Sequence, residues 1–306
     1  MTLRRTRHLD AYTAIKELSE MHDDYPVSEM CRILGINRAA YYKWKNHGGS
    51  RNDTLNELIA EKAGAIHAEH PDMGYRRIRD ALEHDYDIRV NDKRILRICR
   101  KKKIQSYVKH RYNCCTKPAS DPAYVAENIL NREFKSDSPN EKWVTDVSEF
   151  KYGTGDEEKK GKLYLSVILD LCGNRPVSFE YGDHNDNQIV FDTFDKALLA
   201  NPDAKPLFHS DRGYQYTSKV FRQKIVDAGM TQSMSRVGRC IDNGPMEGFW
   251  GTMKREMYYG RKYKTKEELI KAIEDYMDYY TNRRVQRNLG IATPMEFYKR
   301  KLQGAA

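Results

Sequence analysis

A chain of 306 residues, 39% hydrophobic and 32% charged, is long enough for two or three folded domains and too apolar to be disordered. No apolar run approaches the roughly 18 residues of a membrane span, and the opening MTLRRTRHLD lacks the apolar segment of a secretory leader, so a cytoplasmic protein with no membrane partner is expected. The net charge of +9 is divided as +8 over residues 1–120, −5 over 121–250 and +6 over 251–306. Basic ends around an acidic centre suit a polyanion-binding protein with a carboxylate-rich site, or an unevenly charged solvated surface.

Residues 7–21 predict a helix, with Leu9, Tyr12, Ile15 and Leu18 spaced by three. Within PVSEMCRILGINRAAYYKWK, Val27, Met30 and Leu34 form the inward face of a short helix and Gly35-Ile36 makes a turn. Asn37 then caps a second helix carrying Arg38, Tyr41, Tyr42, Lys43 and Lys45. This is the pattern of a helix-turn-helix, whose second helix enters the major groove, although an ordinary helical hairpin gives the same pattern. Residues 1–48 are assigned as a helix-turn-helix DNA-binding region, with Arg38, Lys43 and Lys45 as its DNA contacts.

Residues 52–104 predict a second helical DNA-binding region. Leu55, Leu58, Ile59, Ala63 and Ile66 mark one helix, and a Pro-Gly turn at 71–74 leads into another. That helix turns Ile78 and Leu82 inward and leaves Arg76, Arg77 and Arg79 outside. Asn91 caps a third helix that packs Ile95 and Ile98 and presents Lys93, Arg94, Arg97, Arg100, Lys101, Lys102 and Lys103. Such a cationic face suits phosphates rather than base edges, against the plainer reading of a charged solvated helix. Residues 105–140 are polar and irregular and read as a linker that also crosses DNA. The six cysteines, Cys31, Cys99, Cys114, Cys115, Cys172 and Cys240, make no CxxC pair, so reduced thiols are expected rather than zinc.

From residue 141 the pattern changes to strands. KWVTDVSEFKY (142–152), KLYLSVILDLC (162–172) and RPVSFEYGD (175–183) predict an antiparallel meander. A helix with Ile189, Phe191, Phe194, Ala197 and Leu198 follows. Then come a short strand, KPLFHSD (205–211), a helix over 217–229, a fifth strand, MTQSMS, and a helix in NGPMEGFWGTMKREM. The order β-β-β-α-β-α-β-α predicts an α/β fold over 141–260: a mixed five-stranded sheet flanked by helices, preceded by an all-α region. Residues 261–306 predict a basic helical tail. There, Tyr276, Tyr279 and Tyr280 lie near Arg283, Arg284 and Arg287, a mixture that suits gripping unpaired DNA ends as well as packing on the core.

Three carboxylates stand out. Asp146 interrupts an apolar strand, where a charge is costly unless paired or metal-bound. Asp211 ends the fourth strand in HSDRG, at the carboxyl end where open α/β sheets place ligands. Glu247 lies on a late helix. Sixty-four residues separate the aspartates and 35 separate Asp211 from Glu247. Carboxylate oxygens are the ligands that hard Mg²⁺ or Mn²⁺ prefers. Two such ions roughly 3.5–4 Å apart activate an attacking hydroxyl and stabilise the leaving oxygen of a phosphodiester displacement. Lys254, two turns beyond Glu247 on the same helical face, is placed to hold the DNA backbone. Taken singly, each acid has a plainer role, as a strand-edge acid, a turn former or a surface helix residue. His209 is read as a buried structural histidine, Asn243 as a cap for the Glu247 helix, and Trp143 and Trp250 as core.

WVTDVSEF, HSDRGYQYTS, SMSRVGRCIDNGPMEGFWGTMKRE and YYTNRRVQRNLGIATPMEFY resemble the integrase core of bacterial insertion-sequence transposases of the IS-three family. MCRILGINRAAYYKW, HPDMGYRRI and VNDKRILRI resemble the N-terminal region of the same proteins. The resemblance runs over nearly the whole chain. It implies a ribonuclease H-like core, Asp146, Asp211 and Glu247 as catalytic and metal-binding acids, and strand transfer dependent on two Mg²⁺ or Mn²⁺ ions. The partners it implies are double-stranded DNA at element ends and target, and a second copy of the chain, at least a dimer on DNA. It also implies the product of an upstream reading frame, or a frameshift fusion with it, and association with the bacterial nucleoid. The sequence shows no heptad run, so the chain is expected to be the downstream product alone. The alternative reading is a DNA-binding regulator or inhibitor of the full transposase. A resolvase or nuclease on the same core would share the chemistry.

Overall fold

The fold was analysed in a computed structural model described over residues 3–21, 25–46, 51–108, 124–153, 161–237 and 239–304. The chain divides into two compact units, Met1–Lys62 and Ala63–Ala306. Cys114 and Cys115 lie outside the described residues, and no helix among the described ones is long and apolar enough to cross a membrane.

In the first unit, α1 (Leu3–Met21), α2 (Val27–Ile33) and α3 (Arg38–Lys45) enclose Ile15, Met30, Cys31, Ile36 and Tyr41. Gly35 makes the reversal at φ +63°, a left-handed conformation that side chains with a Cβ rarely adopt. Asn37 then accepts hydrogen bonds from the Ala39 and Ala40 amides at 2.9 and 3.3 Å, capping α3 as expected. Two expected burial assignments change. Leu34, expected inside, is 50% exposed because α2 has already ended and Ile36 fills that place. Tyr41, expected on the presented face, is fully buried against Tyr12 and Trp44. Arg38, Lys43 and Lys45 remain exposed, with Arg38 over the Tyr42 ring.

Helix α4 (Arg51–Glu69) leads to α5 (Tyr75–Tyr86) and α6 (Asp92–Lys101), which pack through Ile78, Leu82, Ile95 and Ile98. The Asn91 side chain caps α6 by accepting from the Arg94 amide at 2.7 Å. Arg76, Lys93, Arg97, Arg100 and Lys101–Lys103 are exposed.

The core is a five-stranded sheet in the order β3-β2-β1-β4-β5. Its strands are β1 (Lys142–Tyr152), β2 (Gly161–Asp170), β3 (Arg175–Gly182), β4 (Leu207–Ser210) and β5 (Thr231–Met234). The first three form the expected antiparallel meander, and β4 and β5 join parallel to β1. Alternation along β1 sends Trp143 and Val147 to one face, where they pack with α7 (Asn187–Ala200) and α8 (Lys219–Asp227) through Phe194, Phe208 and Phe221. It sends Val144 and Phe150 to the other, covered by α9 (Gly244–Met253) and α10 (Lys266–Asn282) through Met246, Phe249, Trp250, Met253, Leu269 and Ile273. The chain ends in α11 (Pro294–Gly304). Residues 124–140, part of the expected linker, are tied to the sheet edge: the Ile129 and Leu130 amides donate to Ser233 Oγ.

Helix α9 runs into a π-turn, Lys254–Tyr258, which carries Glu256 inside. The Glu256 carboxylate accepts from Arg284 Nε and Nη2 at 2.9 and 2.8 Å, Arg77 Nη1 at 2.8 Å and the Tyr276 hydroxyl at 3.0 Å. Burial pushes this carboxyl up, but the two guanidiniums and the tyrosine outweigh it and hold it below the usual range. Arg77 and Arg284, expected to face DNA, therefore face inward, because one buried carboxylate requires their charge. Arg79 likewise pairs with Asp80 and Asp92, and Arg287 reaches Asp80 at 3.0 Å. Tyr276 and Tyr280 are core residues, and Tyr279 accepts from Arg77 at 2.9 Å. Glu256→Ala leaves the buried Arg284 guanidinium without its anion and Arg77 with Asp72 alone, and urea unfolding is expected to record a loss of about 3–5 kcal/mol. Because the native carboxyl is depressed, this contribution is present at neutral pH and lost as pH falls through the acidic range.

Candidate active site

Strands β1 and β4 are in parallel register, Val144 opposite His209. Continued for two residues, that register sets Asp146 beside Asp211, the first residue after β4, on the face covered by α9. The Asp211 charge acts directly on Asp146, so the two half-buried carboxylates are neighbours. Burial first, and the Asp211 charge second, push the Asp146 carboxyl well above the usual carboxylate range; the Val147 amide, the Trp250 indole and Lys254 pull the other way. Burial also raises Asp211, against a hydrogen bond from the Gly213 amide to its Oδ1 at 2.8 Å. A Cβ on Gly213 would stand 3.0 Å from both Asp211 Oδ1 and Gln215 Oε1, so a side chain there would press on the Asp211 carboxylate. Gly213→Ala is expected to displace the Asp211 carboxylate, to be read as a shifted Asp211 signal in a carbon-detected NMR titration.

Helix α9 touches this pair through Trp250. Met246, Phe249, Trp250 and Met253 are buried, while Glu247 is exposed. Trp250 Nε1 donates to Asp146 Oδ2 at 3.0 Å, and Asn243 Nδ2 donates to the Thr145 carbonyl at 3.0 Å. Glu247, Trp250, Gly251 and Lys254 follow one helical stripe at i, i+3, i+4 and i+7. Lys254 lies over the Phe150 ring at 5.1 Å; burial lowers its pKa against the pull of Asp146 and Glu149. Of the three predicted acids, two are brought together and the third stands on the exposed side of the adjoining helix. Among the described residues, no group of three His, Cys, Asp or Glu side chains is close enough to hold a metal ion.

The secondary assignments fare unequally. His209 is structural: it is fully buried between Ser233 Oγ at 2.9 Å and Ser235 Oγ at 3.1 Å. Trp143 is core, its Nε1 donating to Asn140 Oδ1 at 3.2 Å. Asn243 is at the α9 N-cap but makes no capping bond, because its amide is turned to β1 instead. Arg283 is exposed and paired with Asp278 at 3.3 Å, and Arg94 is half-buried. Asp242 went unnoticed in the sequence. It is fully buried and accepts from Arg236 Nε and Nη2, both at 2.8 Å, Arg132 Nε at 2.7 Å and Asn128 Nδ2 at 3.0 Å. Those bonds, Arg236 foremost, hold its carboxyl far below the usual range. The arginines flanking it in SRVGRCIDN were the available signal.

Burial holds the His209 imidazole neutral, with its pKa lowered to about 4. Between there and the ordinary value near 6.5 the unfolded chain binds a proton that the folded chain does not, so stability falls with pH through that window. The loss is expected to reach roughly 3 kcal/mol at its lower end, and His209→Gln should flatten that part of the stability–pH curve.

Known proteins share this arrangement of sequence. The family described as Integrase core domain matches residues 136–240, a second family of the same description matches 247–302, and the family described as HTH-like domain matches 54–112. The putative transposase InsK for insertion sequence element IS150 of Escherichia coli (strain K12) is 32% identical over 285 residues, 92% of this chain and 97% of its own. A transposase-like protein of Haemophilus influenzae is 34% identical over 70% of this chain and 96% of its own. The 31 kDa protein of insertion element IS600 of Shigella sonnei is 30% identical over 90% of this chain and the whole of its own, 100%. Among solved structures, the HTLV-2 integrase catalytic core domain in complex with magnesium is 20% identical, covering 53% of this chain and 97% of its own with a TM-score of 0.40. The chain belongs to the insertion-sequence transposases of the IS-three family, with an integrase core following an HTH-like domain.

Proposed function

We propose that this chain cuts the ends of an insertion element and joins the freed 3′-OH to target DNA, with Asp146, Asp211 and Glu247 as its acids. The observation that carries the reading is the adjacency of Asp146 and Asp211. Two carboxylates held side by side at electrostatic cost make poor structural elements and good cation ligands. The donor set fits Mg²⁺ or Mn²⁺: hard oxygens, half-buried, with Lys254 as the counter-charge acting on Asp146. Asp146 and Asp211 would hold the ions, with exposed Glu247 supplying the third carboxylate from α9. Two bound ions would supply Lewis-acid stabilisation of the attacking and leaving oxygens.

The chain's own groups orient the reaction. Trp250 fixes one oxygen of Asp146, Gly213 fixes one of Asp211, and Lys254 offers a cation to a phosphate beside them. Exposed Arg38, Lys43 and Lys45 on α3, with Arg76, Lys93, Arg97, Lys101 and Lys102 on α5, α6 and the turn after it, supply the DNA grip. Joining two ends requires two copies of the site, so a dimer or larger assembly on DNA is proposed. Partnership with an upstream reading-frame product, or fusion to it, and residence at the bacterial nucleoid belong to the same reading.

In a purified assay with element-end DNA and Mg²⁺, Asp146→Asn, Asp211→Asn and Glu247→Gln are each expected to cut cleavage and joining by on the order of a thousandfold or more. DNA affinity should stay near that of the parent. Substantial joined product from any one of them contradicts the assignment; intact DNA binding with no cleavage by the parent favours a regulator. Arg97→Ala is expected to weaken binding to all sequences alike and to reduce the slope of log affinity against log salt by roughly 0.9.

A further inference from the structure

Helix α9 is attached to β1 at two successive residues. Asn243, four residues before Glu247, donates to the carbonyl of Thr145, and Trp250, three residues after it, donates to the carboxylate of Asp146, each at 3.0 Å. The two donors are seven residues apart, which is two helical turns, so they bracket Glu247 along the helix. The same β1 residue reaches a third element. Thr145 Oγ1 lies 3.2 Å from the hydroxyl of fully buried Tyr216, in the turn that follows Asp211. Thr145 therefore sits where the segments bearing all three acids meet.

Neither donor is explained by stability alone. Asn243 is 5% exposed, and its Oδ1 finds no donor in the protein, which costs free energy in a buried side chain. An apolar residue would fill the place without that cost. Trp250 packs in the core with Phe150 and Phe249, which a phenylalanine would also do; what tryptophan adds is the N–H on Asp146 Oδ2.

We infer that Asn243 and Trp250 are positioning residues: a two-point clamp that sets α9, and with it Glu247, at a fixed offset from the Asp146–Asp211 pair. Trp250 additionally holds one Asp146 oxygen, leaving the other to face a cation. The inference rests on the cation-binding reading of the acid pair. Hydrogen bonds of this kind to a ligating carboxylate orient it, and their loss characteristically weakens metal binding roughly 10- to 100-fold.

The test is Mn²⁺ titration of the full chain by calorimetry, with thermal unfolding and DNA binding recorded on the same samples. Trp250→Phe and Asn243→Ala are each expected to weaken Mn²⁺ uptake by roughly 10- to 100-fold, to lower kcat for strand joining, and to leave KM for the DNA unchanged. Phe249→Leu, which loosens the packing of the same helix but removes neither hydrogen bond to β1, should lower the unfolding midpoint and leave Mn²⁺ affinity alone. Parent-like Mn²⁺ affinity in Trp250→Phe, or weakening in Phe249→Leu equal to that in Trp250→Phe, overturns the clamp. If Asp146→Asn takes up Mn²⁺ as the parent does, the cation-binding reading falls and the clamp with it.

Discussion

Like charges on adjacent parallel strands repel, and the core is arranged around that repulsion between Asp146 and Asp211. The register of β1 and β4 puts the two acids on the same sheet face, and partial burial strengthens their mutual effect by removing water. What surrounds them offsets it locally. The Gly213 amide and the Trp250 indole each donate to one oxygen, and Lys254 contributes a single ammonium partly withdrawn from solvent. One ammonium against two carboxylates leaves the site short of positive charge, which a divalent cation would make good. DNA phosphate, itself anionic, cannot approach such a pair favourably until that deficit is met.

The helix that faces the pair is moored by buried charge at both ends. Before α9, Asp242 collects Arg132, Arg236 and Asn128, drawing the 124–140 segment and the end of β5 to the helix start. After it, Glu256 collects Arg77, Arg284 and Tyr276, joining α5 and α10 to the π-turn. The Glu256–Arg284 pair is buried, so separating it leaves an uncompensated charge at a large penalty, whereas Arg132 and Arg236 reach Asp242 from the surface. A helix held this way keeps its position along the sheet, as Glu247 requires if it is to act with acids carried by other elements. The same ties connect α5, from the region matching the HTH-like family, to the π-turn that follows α9.

Legibility in the sequence followed how local the physics was. Strands β1 to β5 and their order along the chain could be read because alternation and turn chemistry are short-range properties, whereas the parallel pairing of β4 and β5 could not. Asn37 and Asn91 were recognised as caps for the same reason. Asp146 and Asp211 were legible as exceptions, charges at the centre and end of apolar strands. Arg77 and Arg284 were not, since an arginine facing solvent and one facing a buried carboxylate read alike until the partner is known, and Glu256 lies 179 residues from Arg77. Asn243 misled because an Asx residue before a helix usually caps it, whereas here a β-strand carbonyl competes for the amide. Trp250 was read as core, which it is, but its second contact depends on the crossing of α9 over β1 and has no trace in one dimension.

The account stands on cation binding by the aspartate pair, and anomalous diffraction from crystals grown with Mn²⁺ examines it most directly. The expected result is an anomalous peak bonded to an oxygen of Asp146 and an oxygen of Asp211, absent in Asp211→Asn crystals grown alongside. A pair left without Mn²⁺ at saturating concentration, or a peak held by other residues, would contradict it.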